Sequence, residues 1–176
     1  MLRAVTEPVF IVSSRYADEV AAVSTDIGAV PCIERRPERA AERFEAESAR
    51  LVVIDARGAL PQGLAAARSL DAAVKKRHGA MLVLLSRADG IAAVAAHDAG
   101  ATSVLVSPFG SATFGDALRL AARHAGRLSE AAAALQVAGG DAPASQPPPD
   151  RMTGLATGDQ LQVWITAALQ GADTAP

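Results

Sequence analysis

Five short runs of branched apolar residues, each followed by a helix-length segment, constrain this chain more than any other feature. The runs are VFIV at 9–12, a weaker AVPCI at 29–33, LVVI at 51–54, MLVLL at 81–85 and VLV at 104–106. Runs this short, with no polar alternation, suit strands buried on both faces. Pro31 lacks the N–H that a central strand donates, so the second run is predicted to be an edge strand.

The intervening segments carry a helical period. Tyr16, Val20, Val23 and Ile27 share one stripe of a helix predicted at 16–28. The charged segment 37–48 opens with Pro37, a residue suited to a first helical position. Leu64, Ala67, Leu70 and Val74 line one side of 63–77, and Gly100 is a candidate cap for a shorter helix at 89–99. Phe114, Leu118, Ala121, Ala125 and Leu128 share one side of a long, Ala-rich helix at 111–137. Strand-helix alternation requires a parallel sheet covered on both faces, and right-handed crossovers leave few topologies. The expected fold is α/β: a doubly wound, five-stranded parallel sheet in the order 2-1-3-4-5, with the third strand central.

Composition changes at residue 138. The segment 138–149 is rich in Gly, Ala and Pro and reads as a linker, extended at Pro147, Pro148 and Pro149. In 150–176, Leu161, Trp164, Ile165, Ala168 and Leu169 form a helical apolar stripe too short to be stable alone. The organisation expected is a domain at 1–137, a linker at 138–149 and a helical stub at 150–176.

The formal net charge is -2 and no cluster of Lys and Arg stands out, so neither nucleic acid nor a membrane surface is an expected partner. No apolar stretch approaches the roughly 20 residues of a membrane helix, and the first apolar run is too short for a signal peptide. Cys32 is the only cysteine; it excludes an intrachain disulfide and reads as a small buried hydrophobe. His78, His97 and His124 lack metal-ligand spacing. The expectation is a soluble, cytoplasmic protein.

In an open α/β sheet, sites form outside the carboxyl ends of the strands. The first strand delivers Ser13 and Ser14 there, the third Asp55, the fourth Ser86, and the fifth Ser107 before Pro108 and Phe109. One carboxylate and four hydroxyls would face one shallow crevice, flanked by Arg57 and Arg87. The plain reading makes Ser13 and Ser14 turn and cap residues, and Ser86 and Ser107 partners of local backbone. It makes Asp55 a partly solvated acid capped by backbone donors.

ARLVVIDARGALPQGLAAARSL, from residue 49, resembles the third strand and helix of response-regulator receiver domains. VLLSRADGIAAVAAHDAGATSVLVSPFG, from residue 83, resembles the family's fourth strand through the turn after its fifth. LVVIDA, AGAT and SPFG carry most of the likeness. The resemblance implies a flavodoxin/CheY-like (βα)5 fold and phosphoryl transfer to Asp55, helped by Mg²⁺ because an anionic nucleophile must meet an anionic phosphoryl group. The family's acidic pair is here Ser13 and Ser14, and its lysine before the fifth-strand proline is Ser107. Ser86 matches the family's responding hydroxyl, and Val104 stands at the aromatic switch position. Neutral hydroxyls are poor ligands for a hard cation. No cofactor is therefore expected, any Mg²⁺ binding should be weak, and Asp55 should be vestigial.

DRMTGLATGDQLQVWITAAL, from residue 150, resembles the opening of GGDEF domains, the diguanylate cyclase family. Asp150, Met152, Thr153, Gly154 and Leu155 fit, whereas Thr157 and Gly158 replace an Asn-Arg pair. The likeness stops before any catalytic element, so no enzyme is expected in these 176 residues. Together the resemblances imply a non-catalytic pseudo-receiver: a regulatory module of a two-component phosphorelay or cyclic-di-GMP signalling protein. It would bind protein partners, itself or a following GGDEF domain. The implied surface is the face of helix 4, strand 5 and helix 5, with Leu105, Phe114 and Leu118. One alternative is a phosphoaccepting receiver using Asp55 and Mg²⁺, with Asp18 or Glu19 replacing the missing acids. Another is a small-anion or nucleotide binder in the crevice, although no Gly-rich loop follows the first strand.

Overall fold

The computed structural model describes residues 8–140, with side chains through residue 136. The chain divides into units at residues 1–133 and 134–176, and the sheet lies wholly within the first. Five strands alternate with helices: β1 (Pro8–Val12), α1 (Ala17–Asp26), β2 (Val30–Glu34), α2 (Ala40–Ala46), β3 (Leu51–Asp55), α3 (Leu60–Lys76), β4 (Ala80–Leu85), α4 (Ala93–Asp98), β5 (Ser103–Val106) and α5 (Ser111–Gly140). The sheet is parallel throughout, in the order β2-β1-β3-β4-β5 expected from the alternation. β3 is central and buried along its whole length, and Pro31 sits on the edge strand β2.

The strand period of two sorts each run onto two faces. Phe10, Val12, Val52, Ile54, Met81, Val83 and Leu85 meet α2, α3 and α4 through residues such as Phe44, Leu70, Val74 and Ala96. Val9, Ile11, Leu51, Val53, Leu82 and Leu84 meet α1 and α5 through Val20, Phe114, Leu118, Ala121 and Ala125. Asp55 continues the Leu51–Val53 parity, and Ser13 continues that of Val9 and Ile11. Both therefore leave the sheet on the α1 and α5 side.

Local chemistry moves several boundaries. The charged segment forms a 3₁₀ turn at Pro37–Arg39 and a short α2, which buries only Ala40 and Phe44. Arg77 secures that short helix by donating to the carbonyls of Glu47 (2.7 Å) and Ala49 (3.2 Å), with its guanidinium over the Phe44 ring. α3 begins at Leu60, ahead of the expected residue 63, because Pro61 is preorganised for a first turn. Gly63 then lies within that helix, where an added Cβ would come 2.5 Å from the Cβ of Ala56. Its missing side chain lets α3 close onto the loop that follows Asp55.

Three readings of individual residues change. Phe114 and Leu118, expected on an exposed face, are buried against the sheet. The helical stripe that contains them is the inner side of α5. Tyr16, expected in the stripe of the first helix, precedes α1 and is part-exposed. Cys32, expected to be buried, is half-buried in β2. α5 runs on through Gly140, past the composition change at 138. The rest of the 138–149 linker, and the stub and C-terminal helix expected at 150–176, lie outside the described residues. Among those described, no helix is long and apolar enough to cross a membrane.

Candidate functional site

The crevice at the carboxyl edge of the sheet is built around Asp55, the last residue of β3. Its side chain is fully buried. Oδ1 accepts hydrogen bonds from the backbone N–H of Arg57 (3.1 Å) and from Arg57 Nε (2.9 Å). Oδ2 accepts from Arg57 Nη2 (2.9 Å) and from the hydroxyl of Ser13 (3.2 Å). A carboxylate has about four acceptor positions, and all four are engaged. The expected cap of backbone donors supplies only one of them.

Arg57 is the centre of the arrangement. Its guanidinium grips Asp55 as a two-pronged fork, the geometry that matches a planar carboxylate. The third nitrogen, Nη1, donates to Glu19 Oε1 at 3.0 Å. The Tyr16 ring lies 4.5 Å from the guanidinium carbon and the Phe109 ring 5.3 Å, both within cation–π range. Only 12% of the Arg57 side chain is exposed. The hydrogen bond to Asp55 holds its pKa above the ordinary arginine value; burial opposes this and Glu19 adds to it. The cation is therefore permanent. Gly58, at φ +69°, turns the chain directly after Arg57 and lies beside the Arg15 guanidinium.

The four serines do not act together. Ser13 is buried and bonded to Asp55, and also accepts from the backbone N–H of Tyr16 (3.1 Å). Ser14, one residue out of parity, is exposed. Ser86 donates to the carboxylate of Asp89 and accepts from its backbone N–H. Ser107 donates to the carbonyl of Leu85 at 3.2 Å, ahead of a cis peptide to Pro108. Ser107 bonds local backbone, as the plain reading has it, whereas Ser86 engages both the side chain and the backbone N–H of Asp89. Of the alternative acids, Asp18 pairs with Arg35 at 2.6 Å, whereas Glu19 reaches the crevice through Arg57.

A divalent cation does not fit these residues. Ser13 and Ser14 offer hydroxyls where an acidic pair would be needed, and both Asp55 oxygens face a fixed positive charge. Among the described residues, no three His, Cys, Asp or Glu side chains converge to hold a metal. A neighbouring cavity of about 290 Å³ is walled by Val20, Val23, Leu84, Phe109 and Phe114. Its one charged wall residue is the carboxylate Glu19, which does not suit an anion.

The sequence places Arg57 beside the crevice as a flanking arginine. Instead it turns inward, and its ligand is the preceding strand's own acid. An Asp-x-Arg spacing at a strand end is the one sequence signal for this. The flanking rings of Tyr16 and Phe109 lie 41 and 52 residues away in the chain (57 − 16 and 109 − 57), so their convergence is not readable locally.

No family model matches the chain, and no curated protein matches it. Solved structures do. NtrX from Brucella abortus in complex with ADP superposes with a TM-score of 0.68 at 18% identity, covering 91% of this chain and 34% of that one. The chain thus spans about a third of NtrX. The receiver domain of the sensor histidine kinase PA1611 from Pseudomonas aeruginosa, solved with a magnesium ion in its active-site cleft, gives 0.56 at 19% identity, covering 68% of this chain and 98% of that one. The chemotaxis protein CheY4 from Vibrio cholerae gives 0.58 at 16% identity, covering 66% and 98%. The chain has the fold of response-regulator receiver domains, with an arginine clamped onto the aspartate at the end of its central strand.

Proposed function

We propose that this chain is a cytoplasmic pseudo-receiver, a regulatory module of a two-component or cyclic-di-GMP signalling protein that works by binding other protein surfaces. The observation that carries the reading is the occupancy of Asp55. To attack a phosphoryl group, a carboxylate oxygen must first be released from its donors. Here the release would have to undo a buried, two-pronged ion pair, and no lysine at position 107 receives the incoming charge. The cyclic-di-GMP part rests on the GGDEF-like residues 150–155, which lie outside the described residues.

The proposed contact surface is the α4, β5 and α5 face. Its apolar residues are not Phe114 and Leu118 but Ile91 and Val94, at 95% and 70% exposure, with Val106 packed beside Gly90. Ile91 and Val94, three residues apart and both solvent-facing, make an apolar strip that supports a protein partner or a second copy of the chain.

Intact mass after incubation with Mg²⁺ and a small phosphodonor tests the reading, with Asp55→Asn as control. The expected result is no phosphoryl adduct under conditions that label an ordinary receiver. One adduct on the native protein, absent from the control, would make the protein a phosphorylation switch and overturn the reading.

A further inference from the structure

The cavity beside the clamp takes its lining from three parts of the chain. α1 supplies Glu19, Val20 and Val23, β4 supplies Leu84, and the entry into α5 supplies Phe109 and Phe114. Val20, Leu84 and Phe114 belong to the core on this side of the sheet, so the cavity reaches residues otherwise closed to water. The two rings are stacked, with centroids 6.1 Å apart and planes 26° from parallel. The volume, about 290 Å³, lies at the lower end of the range of ligand pockets. It suits a single ring with a short tail.

The carboxylate sets the charge of what fits. Glu19 Oε1 accepts from Arg57 Nη1 at 3.0 Å. Among the described residues, no protein group is bonded to Oε2. The Glu19 side chain is 55% exposed, so its charge lies on the solvent side of an apolar hollow. Within the clamp, Asp55 and Arg57 cancel, and the charge of Glu19 is left over. Stacked rings inside and one anion at the rim match an aromatic ring that carries a cation on a short arm.

We propose that this cavity is a binding site for a small aromatic amine, its ring against Phe109 and Phe114 and its ammonium on the open oxygen of Glu19. The inference goes beyond the reading above: it uses a different cavity, and its test involves no phosphoryl transfer. Glu19 and Phe109 also touch Arg57, so an occupant shares two contacts with the Asp55 clamp.

Calorimetric titration and thermal unfolding of the full chain test this with 2-phenylethylamine as the probe. Beside it, 2-phenylethanol and 3-phenylpropionate keep the ring and change the charge. The amine is expected to bind saturably and to raise Tm by ~3 °C at about ten times its Kd. The alcohol should bind about three- to fivefold more weakly, the worth of one solvent-exposed ion pair, and the carboxylate should not bind. Glu19→Gln keeps an acceptor for Arg57 and removes the charge, so amine and alcohol should then bind equally. Val23→Phe should fill the cavity and block both. Val23→Leu, a smaller change, should weaken both if the larger ring disturbs the fold. No saturable binding of the amine at millimolar concentration would overturn the proposal and leave the hollow a packing void. An amine no tighter than the alcohol, a preference that survives Glu19→Gln, or an affinity unmoved by both Val23 variants would also overturn it.

Discussion

Arg57 reaches back two residues along its own chain and lays Nε and Nη2 against the two carboxylate oxygens of Asp55, each at 2.9 Å. Because Asp55 is fully buried, the pair is unequal: the acid depends on the arginine more than the arginine depends on the acid. Replacing Arg57 by Met leaves a buried carboxylate with only Ser13 and one backbone donor. The expected loss is about 3–5 kcal/mol, read from the urea midpoint at constant slope. Arg57→Lys should recover part of it, since an ammonium restores the charge but not the fork. A loss well under about 1 kcal/mol would mean that the clamp is a surface ion pair in energetic terms.

Asp55→Ala should cost less than Arg57→Met. The arginine keeps Glu19 at 3.0 Å and the faces of Tyr16 and Phe109, so its charge is not stranded. The double variant should be less destabilised than the sum of the singles. A coupling energy of about 2 kcal/mol is expected from the four-member cycle. Strict additivity would show that the two side chains do not act as a unit.

The pH dependence follows from two groups. Arg57 has its pKa raised by Asp55, so its contribution is complete below the ordinary arginine range and is lost only as pH rises beyond it. The arginine side of the clamp is therefore constant across physiological pH. The Cys32 thiol is pushed up by burial first and then by Glu47. Its contribution is present below the ordinary thiol range and fades as pH rises through that range. Alkylation by iodoacetamide should have a rate profile displaced to higher pH than that of a free thiol. Stability above neutral pH should fall less steeply for Cys32→Ala than for the native chain. A profile matching the free thiol would contradict this.

Phe114 and Ile91 should behave oppositely. Phe114→Ala removes a core ring from the α5 side of the sheet and should cost about 3–5 kcal/mol. Ile91→Asp alters a side chain at 95% exposure and should change stability by no more than about 0.5 kcal/mol. If the α4 and β5 face is the contact surface, Ile91→Asp with Val94→Asp should abolish self-association or partner binding while leaving Tm unchanged. Sedimentation velocity and calorimetric Tm separate the two effects.

Gly63→Ala is a helix-favouring change that should nevertheless destabilise. Its Cβ would sit 2.5 Å from that of Ala56 and 2.9 Å from the Ala56 backbone, so α3 or the loop must move. A loss of about 1–3 kcal/mol is expected by chemical denaturation. A stabilised variant would show that α3 shifts freely at its first turn.

Much of the site was legible from parity. Ser13 and Asp55 continue strand positions that face α1 and α5, so their convergence follows from alternation and from β1 and β3 being neighbours. Ser14, read into the same crevice, is one residue out of that parity and is exposed. The serines at 13, 14 and 107, neutral where an acidic pair and a lysine would be needed for phosphoryl transfer, were legible as residue types. The clamp was not, because an arginine two residues beyond a strand has many rotamers. Which one it keeps depends on Tyr16, Glu19 and Phe109, supplied by other parts of the chain. Glu19, on α1, enters the arrangement through the length of the Arg57 side chain, which sequence separation does not disclose.

The sequence by itself determined the five strands, the order β2-β1-β3-β4-β5, the edge position of Pro31 and the acid that ends the central strand. Those depend on local periodicity and on the small number of right-handed connections. Only the tertiary structure decided that the acid is neutralised from within. That outcome depends on side-chain geometry across three loops, where differences of about 1 Å separate a buried fork from a solvated arginine.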